Sequence, residues 1–169
     1  MHQLFLLRHA KAEHSGSVSD HNRALTDKGR FDAAEIGKAM RLAGLAPEVV
    51  LVSTALRTQQ TLEALEHAGV WDEWPNIEPL PQLYMATPPQ MLSALRDLPE
   101  TVRSVLVVGH NPGVHSLALQ LAGEQPPAAD YARLQNGYPT STLSEFLTTG
   151  PWRGLGTTGS SSLKRLFPT

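Results

Sequence analysis

Three short apolar runs constrain the fold of this chain more than any other feature of its sequence. They span residues 3–7, 49–52 and 104–108, are rich in branched side chains, and contain almost no polar alternation. Runs of this kind are typical of strands that are buried on both faces of a parallel sheet. Each run is therefore predicted to be a central strand of a covered sheet.

Helical patterns lie between these runs. Apolar spacing of three or four predicts a helix that starts near Thr26, another after residue 55, and a last one after Asn111. A further helix has a clear start at residues 87–90, where Thr-Pro-Pro-Gln supplies a cap, a proline at the first helical position and a capping-box partner. This alternation predicts an α/β fold, a three-layer α/β/α arrangement with a mostly parallel central sheet.

The C-terminal third is less regular. Residues 123–140 carry three prolines, and residues 150–162, GPWRGLGTTGSSS, are rich in Gly and Ser with little to bury. We predict a mobile loop at 150–162, a strand near 142–147, and a terminal LKRLF segment that packs back. At 169 residues, a single domain over residues 1–169 is expected.

Composition excludes several classes of function. The net charge of −2 provides no basic field for nucleic acid, and the absence of cysteine excludes disulfides and thiolate chemistry. No apolar run approaches the ~20 residues of a membrane span, and Arg8 interrupts the N-terminal run before a signal-peptide core can develop. We therefore expect a cytoplasmic, monomeric protein that contacts neither nucleic acid nor membrane.

Cationic and imidazole side chains follow all three predicted strands. Arg8 and His9 follow the first run, Arg57 opens the helix after the second, and His110 and Asn111 follow the third. Open α/β sheets collect ligands at the carboxyl ends of their strands. The sequence therefore predicts that these side chains meet in one site.

A phosphoryl group explains this gathering better than other ligands do. It carries about two negative charges at neutral pH, which the paired donors of Arg8 and Arg57 match. Backbone N–H groups at the helix start after His110 are expected to add donors. His9 is predicted to attack phosphorus with a pKa lowered by the arginines, and His110 to be protonated or to donate to phosphoryl oxygens. A zinc site of His9, His14 and His21 is a weaker alternative, because neither HExxH spacing nor a thiol is present.

Four segments resemble the histidine phosphatase superfamily, which has the phosphoglycerate-mutase-like fold. They are LLRHAKAE, NRALTDKGRFDA, LVSTALRTQQT and SVLVVGHNPGV, and with the LYMA segment at 83–86 they look most like its SixA-like phosphohistidine phosphatases. The resemblance covers residues 3 to about 147 and implies that His9 is phosphorylated during turnover. It implies that Arg8 and Arg57 bind the phosphoryl group, that His110 is the second pocket histidine, and that Arg23 lines the pocket mouth. With Asn111 from the third strand end, these residues form the predicted substrate-binding set, and His9, Arg8, Arg57 and His110 form the predicted catalytic set.

Two positions depart from the family pattern. Ala10 replaces a glycine, which is tolerable if the backbone there is not left-handed. Gln82 stands where many relatives place a glutamate that protonates the leaving group, a role worth about 10²- to 10⁴-fold. Glu13 or Asp20 could substitute from a loop. Without such an acid, phosphohistidine is an easier substrate than a sugar phosphate, because its imidazole can leave as a neutral ring.

The sequence thus predicts a metal-independent phosphatase without a cofactor, which hydrolyses phosphohistidine in a protein or a small phosphoester through an intermediate on His9. A non-catalytic phospho-ligand binding module and a phosphomutase are the alternatives. The short chain leaves little room for cap segments, so an open pocket is expected. Residues 150–162 are expected to lie near its opening and to shape access.

Overall fold

The computed structural model describes residues 1–169 as one six-stranded sheet with five α-helices. The strands are β1 (His2–Arg8), β2 (Val49–Ser53), β3 (Asn76–Leu80), β4 (Ser104–Gly109), β5 (Leu143–Thr148) and β6 (Ser161–Phe167). The helices are α1 (Asp27–Leu42), α2 (Leu56–His67), α3 (Pro88–Arg96), α4 (Gly113–Leu121) and α5 (Ala128–Asn136). None of the five helices combines the length and the apolar character that a membrane span requires.

The sheet is mostly parallel and has helices on both faces, as the sequence predicts. Its strand order is β3-β2-β4-β1-β5-β6, in which the first four strands pair in parallel and β5 pairs antiparallel with both β1 and β6. Side chains alternate along β1, so that Leu4 and Leu6 join the core formed with α3, α4 and α5, while Phe5 and Leu7 join the core formed with α1 and α2. The chain therefore forms three layers, α/β/α.

The predicted strands and helix starts are confirmed, with small extensions. Each of the three apolar runs continues to a further residue, namely Arg8, Ser53 or Gly109. Thr26 caps α1 by accepting a hydrogen bond from the Gly29 N–H at 2.9 Å. At α3, the backbone N–H of Thr87 donates to Gln90 Oε1 at 2.8 Å, which completes the predicted capping box.

Two elements escape prediction, each for a local reason. β3 is a largely exposed edge strand, NIEPL, that contains Pro79, so it lacks the apolar run of a central strand. α5 follows Pro126 and Pro127, which indicate a turn, and buries only Leu134 fully. The predicted strand near 142–147 and the packing of the LKRLF segment are confirmed as β5 and β6.

The interpretation of residues 150–162 is wrong in two respects. Trp152 and Leu155 are buried, and residues 161–162 already belong to β6. The indole of Trp152 stacks on His2 and its Nε1 donates to Val102 O at 2.8 Å, so this stretch packs at the amino ends of β1 and β4. Arg8 and Gly109 lie at the opposite ends of these strands. The stretch is therefore remote from the predicted pocket.

The parallel pairing of β1 with β4 brings the predicted site residues together. Arg8 is in register with Gly109, so His9 and His110 leave the sheet side by side. β2 pairs with β4 on the other side and ends at Ser53, just before α2. Three chain segments that are far apart in sequence thus turn outward at one edge of the sheet.

We predict that Gly113→Ala destabilises the fold, because a Cβ at this position would lie 2.0 Å from the Ala86 carbonyl oxygen. Overpacking of this kind costs about 1–3 kcal/mol, more than the gain in helix propensity from Gly to Ala. Urea unfolding would measure the loss. Gly150→Ala is the control, since nothing lies within 4 Å of a Cβ there. Equal stability of the two variants would contradict the tight packing of residues 84–86 on α4.

Candidate active site

A cavity of about 270 Å³ opens at this edge of the sheet. Four residues that the sequence did not single out for this site, Lys11, Ala12, Met85 and Thr140, also line it. All six residues predicted from the sequence line it: Arg8, His9, Arg23, Arg57, His110 and Asn111. The predicted constellation is therefore one physical site.

The imidazole of His9 is held in a single tautomer. Its Nδ1 lies 2.7 Å from the Ala10 carbonyl oxygen, which can only accept a hydrogen bond, so Nδ1 carries the proton. In the neutral ring, Nε2 then has a free lone pair. Burial lowers the pKa of His9 to about 4, and Arg57, Arg8 and Arg23 add to this effect. His9 is therefore neutral at pH 7, the form that nucleophilic attack requires.

The backbone around His9 is tied directly to α2. The Ala10 N–H donates to Thr61 Oγ1 at 2.9 Å, and the Thr61 hydroxyl donates to the Arg57 carbonyl oxygen at 2.7 Å. Ala10 does not have a positive φ, so the methyl group that distinguishes it from glycine causes no backbone strain. Sequence reasoning missed Thr61, although its position one helical turn after Arg57 was a usable signal.

Arg57 lies at the start of α2 with only 1% of its surface exposed. Thr58 Oγ1 donates to Ser53 O at 2.8 Å, and Gln59 Nε2 donates to the same oxygen at 2.9 Å, which fixes the turn from β2 into the helix. Arg57 Nη1 and Nη2 donate to the backbone oxygen and Oδ2 of Asp20, at 2.8 and 3.1 Å. The position of Arg57 is thus set by the start of α2, and its guanidinium group is held by the backbone oxygen and the carboxylate of Asp20.

Arg8 and Asn111 share one anchor. Arg8 Nη1 and Asn111 Nδ2 both donate to the Tyr138 carbonyl oxygen, at 3.0 and 2.9 Å. The Tyr138 hydroxyl lies 2.7 Å from both Leu6 O and Ser144 Oγ, so this anchor is fastened to the sheet. Burial, together with Arg57, lowers the pKa of Arg8. Sequence reasoning missed Tyr138, because it lies in the proline-containing region that gave no clear pattern.

His110 lies beside His9, with their ring centroids 5.4 Å apart. Its Nε2 is 2.8 Å from Ser53 Oγ, a hydroxyl that also accepts a hydrogen bond from the Ala55 N–H. The Ser53 hydroxyl is then available to donate to Nε2, which leaves the proton of the neutral ring on Nδ1. Burial and the neighbouring Arg57 and His9 lower the pKa of His110 to about 3. Of the two predicted states of His110, the neutral donor is the one that this site favours.

Three buried nitrogen atoms of this site have no hydrogen-bond partner. They are Arg8 Nε, Arg57 Nε and His110 Nδ1. Buried donors are normally satisfied, and an unpaired one costs about 1–3 kcal/mol. All three belong to side chains that line the same cavity. A tetrahedral oxyanion in the cavity would supply acceptors of the matching charge.

Two of the backbone donors expected at the start of α4 are already used. The Val114 N–H donates to His110 O at 2.9 Å, and the His115 N–H donates to Asn111 Oδ1 at 3.3 Å. The helix start therefore contributes less to an anion than the sequence suggested. Asn111 lines the cavity, but two of its polar atoms serve this local structure.

Asp20 is the only carboxylate that lines the cavity. Gln82 is exposed and does not line it, and Glu13, the other proposed substitute acid, contributes only its backbone oxygen to Arg23 Nη1 at 2.9 Å. Arg23 Nε donates to Asp20 Oδ1 at 2.9 Å.

The structure contains no group of three His, Asp or Glu side chains that is arranged to hold a metal ion, and this includes the set His9, His14 and His21.

Comparisons with known proteins identify relatives of this chain. The model of the histidine phosphatase superfamily (branch 1) matches residues 4–83. An uncharacterised protein of Mycobacterium tuberculosis is 33% identical over 147 residues, which cover 86% of this chain and 89% of that protein.

Solved structures agree with this match. A candidate SixA phosphohistidine phosphatase from Nakamurella multipartitia superposes with a TM-score of 0.83 at 29% identity, over 98% of this chain and 94% of that chain. The protein histidine phosphatase SixA in complex with tungstate superposes with a TM-score of 0.77 at 28% identity, over 97% and 95% of the two chains.

We predict that replacement of His9 by Gln stabilises the protein in mild acid. The pKa of His9 falls from 6.5 to about 4 on folding, so between these pH values the unfolded chain binds a proton that the folded chain does not. The free energy of unfolding therefore falls as the pH is lowered through this window, by about 2 kcal/mol at about pH 5 for this one group. Gln cannot titrate, so His9→Gln removes this loss.

The measurement is urea unfolding of wild type and His9→Gln at neutral pH and at about pH 5. The stability difference between the two proteins should change with pH in favour of the variant. His14→Gln is the matched control, since His14 is exposed. A pH-independent difference for His9→Gln would contradict burial of a neutral imidazole at this position.

Proposed function

The chain belongs to the histidine phosphatase superfamily, in its SixA-like branch, and on this premise we propose that it hydrolyses phosphohistidine in a protein through a phosphoryl intermediate on His9. A small phosphoester is a less favoured substrate. We further propose that the reaction needs no metal ion.

One observation carries the proposal: two guanidinium groups and three unpartnered buried donors surround a cavity beside an imidazole with a free lone pair. Burial and Arg57 lower the pKa of Arg8, which means that the two cations destabilise each other without an anion between them. A phosphoryl dianion relieves this repulsion and pairs the donors. The tungstate complex of the related SixA supports the choice, because tungstate is a tetrahedral oxyanion.

The first step proposed is attack of His9 Nε2 on phosphorus. The Nε2–P bond forms, the bond from phosphorus to the leaving atom breaks, and its electron pair stays on the leaving atom. Arg8, Arg57 and His110 stabilise the charge on the three phosphoryl oxygens, as preorganised donors do in phosphoryl transfer. The hydrogen bond to Ala10 O fixes the orientation of the His9 ring, so the ring does not have to reorient after the substrate binds.

The second step returns His9 to its starting state. Water attacks the phosphorus, the Nε2–P bond breaks, and the electron pair returns to the ring. Because Ala10 O keeps the proton on Nδ1, the phosphorylated ring carries a positive charge and leaves as a neutral imidazole. The same hydrogen bond that prepares the nucleophile therefore also makes its phosphorylated form reactive.

We predict that an acid-labile phosphate accumulates on His9 during turnover of phosphohistidine or of an aryl phosphate. Rapid quenching in base followed by mass spectrometry of the tryptic peptides would locate it. His9→Ala should abolish both the label and the release of phosphate, while His14→Ala, with an exposed side chain, should change neither. Both signals should persist after chelation of metal ions.

Three results would redirect this interpretation. Phosphate binding without label or turnover would favour the binding module, and an isomerised product that depends on a bisphosphate primer would favour a mutase. Turnover that His9→Ala leaves intact would remove the proposed intermediate.

We predict that Arg8→Gln weakens tungstate binding about 10- to 100-fold, because a hydrogen bond to a charged group contributes about 1.5–3 kcal/mol. Calorimetric titration measures the affinity independently of turnover. Arg41→Gln is the matched control, since Arg41 pairs with Asp72 on the surface at 2.9 Å and does not line this cavity. Equal affinity of wild type and Arg8→Gln would place the anion away from Arg8.

A further inference from the structure

We propose that Asp20 is the proton donor and acceptor of the reaction, and that the phosphoryl group releases it for this task by displacing it from Arg57. The inference rests on the proposed function, since it assigns a catalytic residue within the same site.

The contacts of Asp20 place it where the phosphoryl group has to bind. Its Oδ2 accepts hydrogen bonds from Arg57 Nη2 at 3.1 Å and from the Tyr84 hydroxyl, and its Oδ1 accepts from Arg23 Nε at 2.9 Å. Its backbone oxygen accepts from Arg57 Nη1 at 2.8 Å. The carboxylate therefore uses a terminal donor of the most deeply buried cation.

A phosphoryl dianion and Asp20 compete for the same donor. A dianion between Arg8 and Arg57 needs the Arg57 N–H groups and brings about two negative charges next to an ionised carboxylate. Asp20 is able to move, because residues 13–20 are all exposed and its own side chain is 46% exposed. Arg57 is fixed by its burial in α2. The carboxylate rather than the guanidinium group is displaced.

Displacement favours the protonated form of Asp20, which is the form that a proton donor requires. A hydrogen bond from Tyr84 lowers the pKa of Asp20 to about 2, aided by Arg23 and Arg57, while partial burial opposes the shift. Loss of the Arg57 contact and the arrival of a dianion both favour the protonated acid.

The charged and titratable groups that face Asp20 or line its cavity are Arg57 on α2, Arg23 and His21 beside it, Tyr84 after the 81–83 turn, Arg8, His9 and Lys11 after β1, and His110 after β4.

The proton balance of both steps closes through Asp20. As His9 Nε2 bonds to phosphorus, the carboxylic acid gives its proton to the leaving oxygen or nitrogen and becomes a carboxylate. When water then attacks the phosphorylated ring, the carboxylate accepts the water proton and the electron pair of the Nε2–P bond returns to His9. The products are the protonated leaving group and phosphate, and Asp20 is again an acid until phosphate leaves.

The first test compares two aryl phosphates in Asp20→Asn. Phenyl phosphate has a basic leaving group that needs a proton, whereas 4-nitrophenyl phosphate has one that leaves as a stable anion. We expect kcat/KM for phenyl phosphate to fall about 10²- to 10⁴-fold and that for 4-nitrophenyl phosphate to fall far less. Asp72→Asn, a surface carboxylate paired with Arg41, is the matched control and should behave as wild type. Equal losses on the two substrates would overturn the proton role.

The second test measures binding of tungstate, which remains a dianion at neutral pH. Calorimetry in buffers of different ionisation enthalpy counts the protons taken up on binding. We expect wild type to take up protons, and Asp20→Asn to take up fewer while it binds tungstate at least about tenfold more tightly, because its competitor is gone. Weaker binding by the variant would overturn the displacement.

The two tests separate this inference from the proposed function. If His9 becomes phosphorylated but Asp20→Asn loses both substrates equally, the inference fails and the function stands. If Asp20→Asn does not fold, the triple variant His9→Gln/His21→Gln/His110→Gln takes its place, since it lacks the imidazoles that could take up a proton instead of Asp20 when a dianion binds. Proton uptake on tungstate binding by this variant supports Asp20, and its absence overturns the proposal.

Discussion

The site depends on holding two guanidinium groups, the half-buried Arg8 and the buried Arg57, around one small cavity. Burial and mutual repulsion destabilise charges of the same sign, and they keep the neighbouring imidazoles of His9 and His110 neutral. The fold tolerates this because each cation is fastened to the protein by oxygen atoms, from Tyr138 on one side and from Asp20 on the other. A bound dianion would therefore lower the electrostatic energy of the site.

The sheet makes this arrangement possible. Parallel pairing of β1 with β4 sets Arg8 against Gly109, so the following two histidines are neighbours without any contribution from long loops. β2 ends beside them at Ser53, whose hydroxyl meets His110. Because the strands are rigid and buried, the relative positions of nucleophile and donors are set by backbone hydrogen bonds before any ligand is bound.

The sequence predicted the parts of the molecule that local signals specify. The central strands, the capped helices α1 and α3, and the six predicted residues of the cavity all carry strong local patterns. The edge strand β3 and the helix α5 were missed, because exposure and proline weaken those patterns. The error at residues 150–162 has a different cause: Trp152 is buried by a contact with His2, 150 residues away in the sequence, which no local pattern can indicate. Tyr138 was missed because the proline-containing region around it carries no clear pattern, although its carbonyl oxygen holds Arg8. Thr61 was missed although it lies one helical turn after Arg57 and supports the Ala10 N–H.

The hydrogen bond between His9 Nδ1 and Ala10 O also has a regiochemical consequence. With one ring nitrogen committed to a carbonyl oxygen, the proposed intermediate can form at the other nitrogen alone, and the phosphorylated chain is a single isomer. Reagents that discriminate between the two phosphohistidine isomers would then recognise this protein in one form only, whatever isomer its substrate carries.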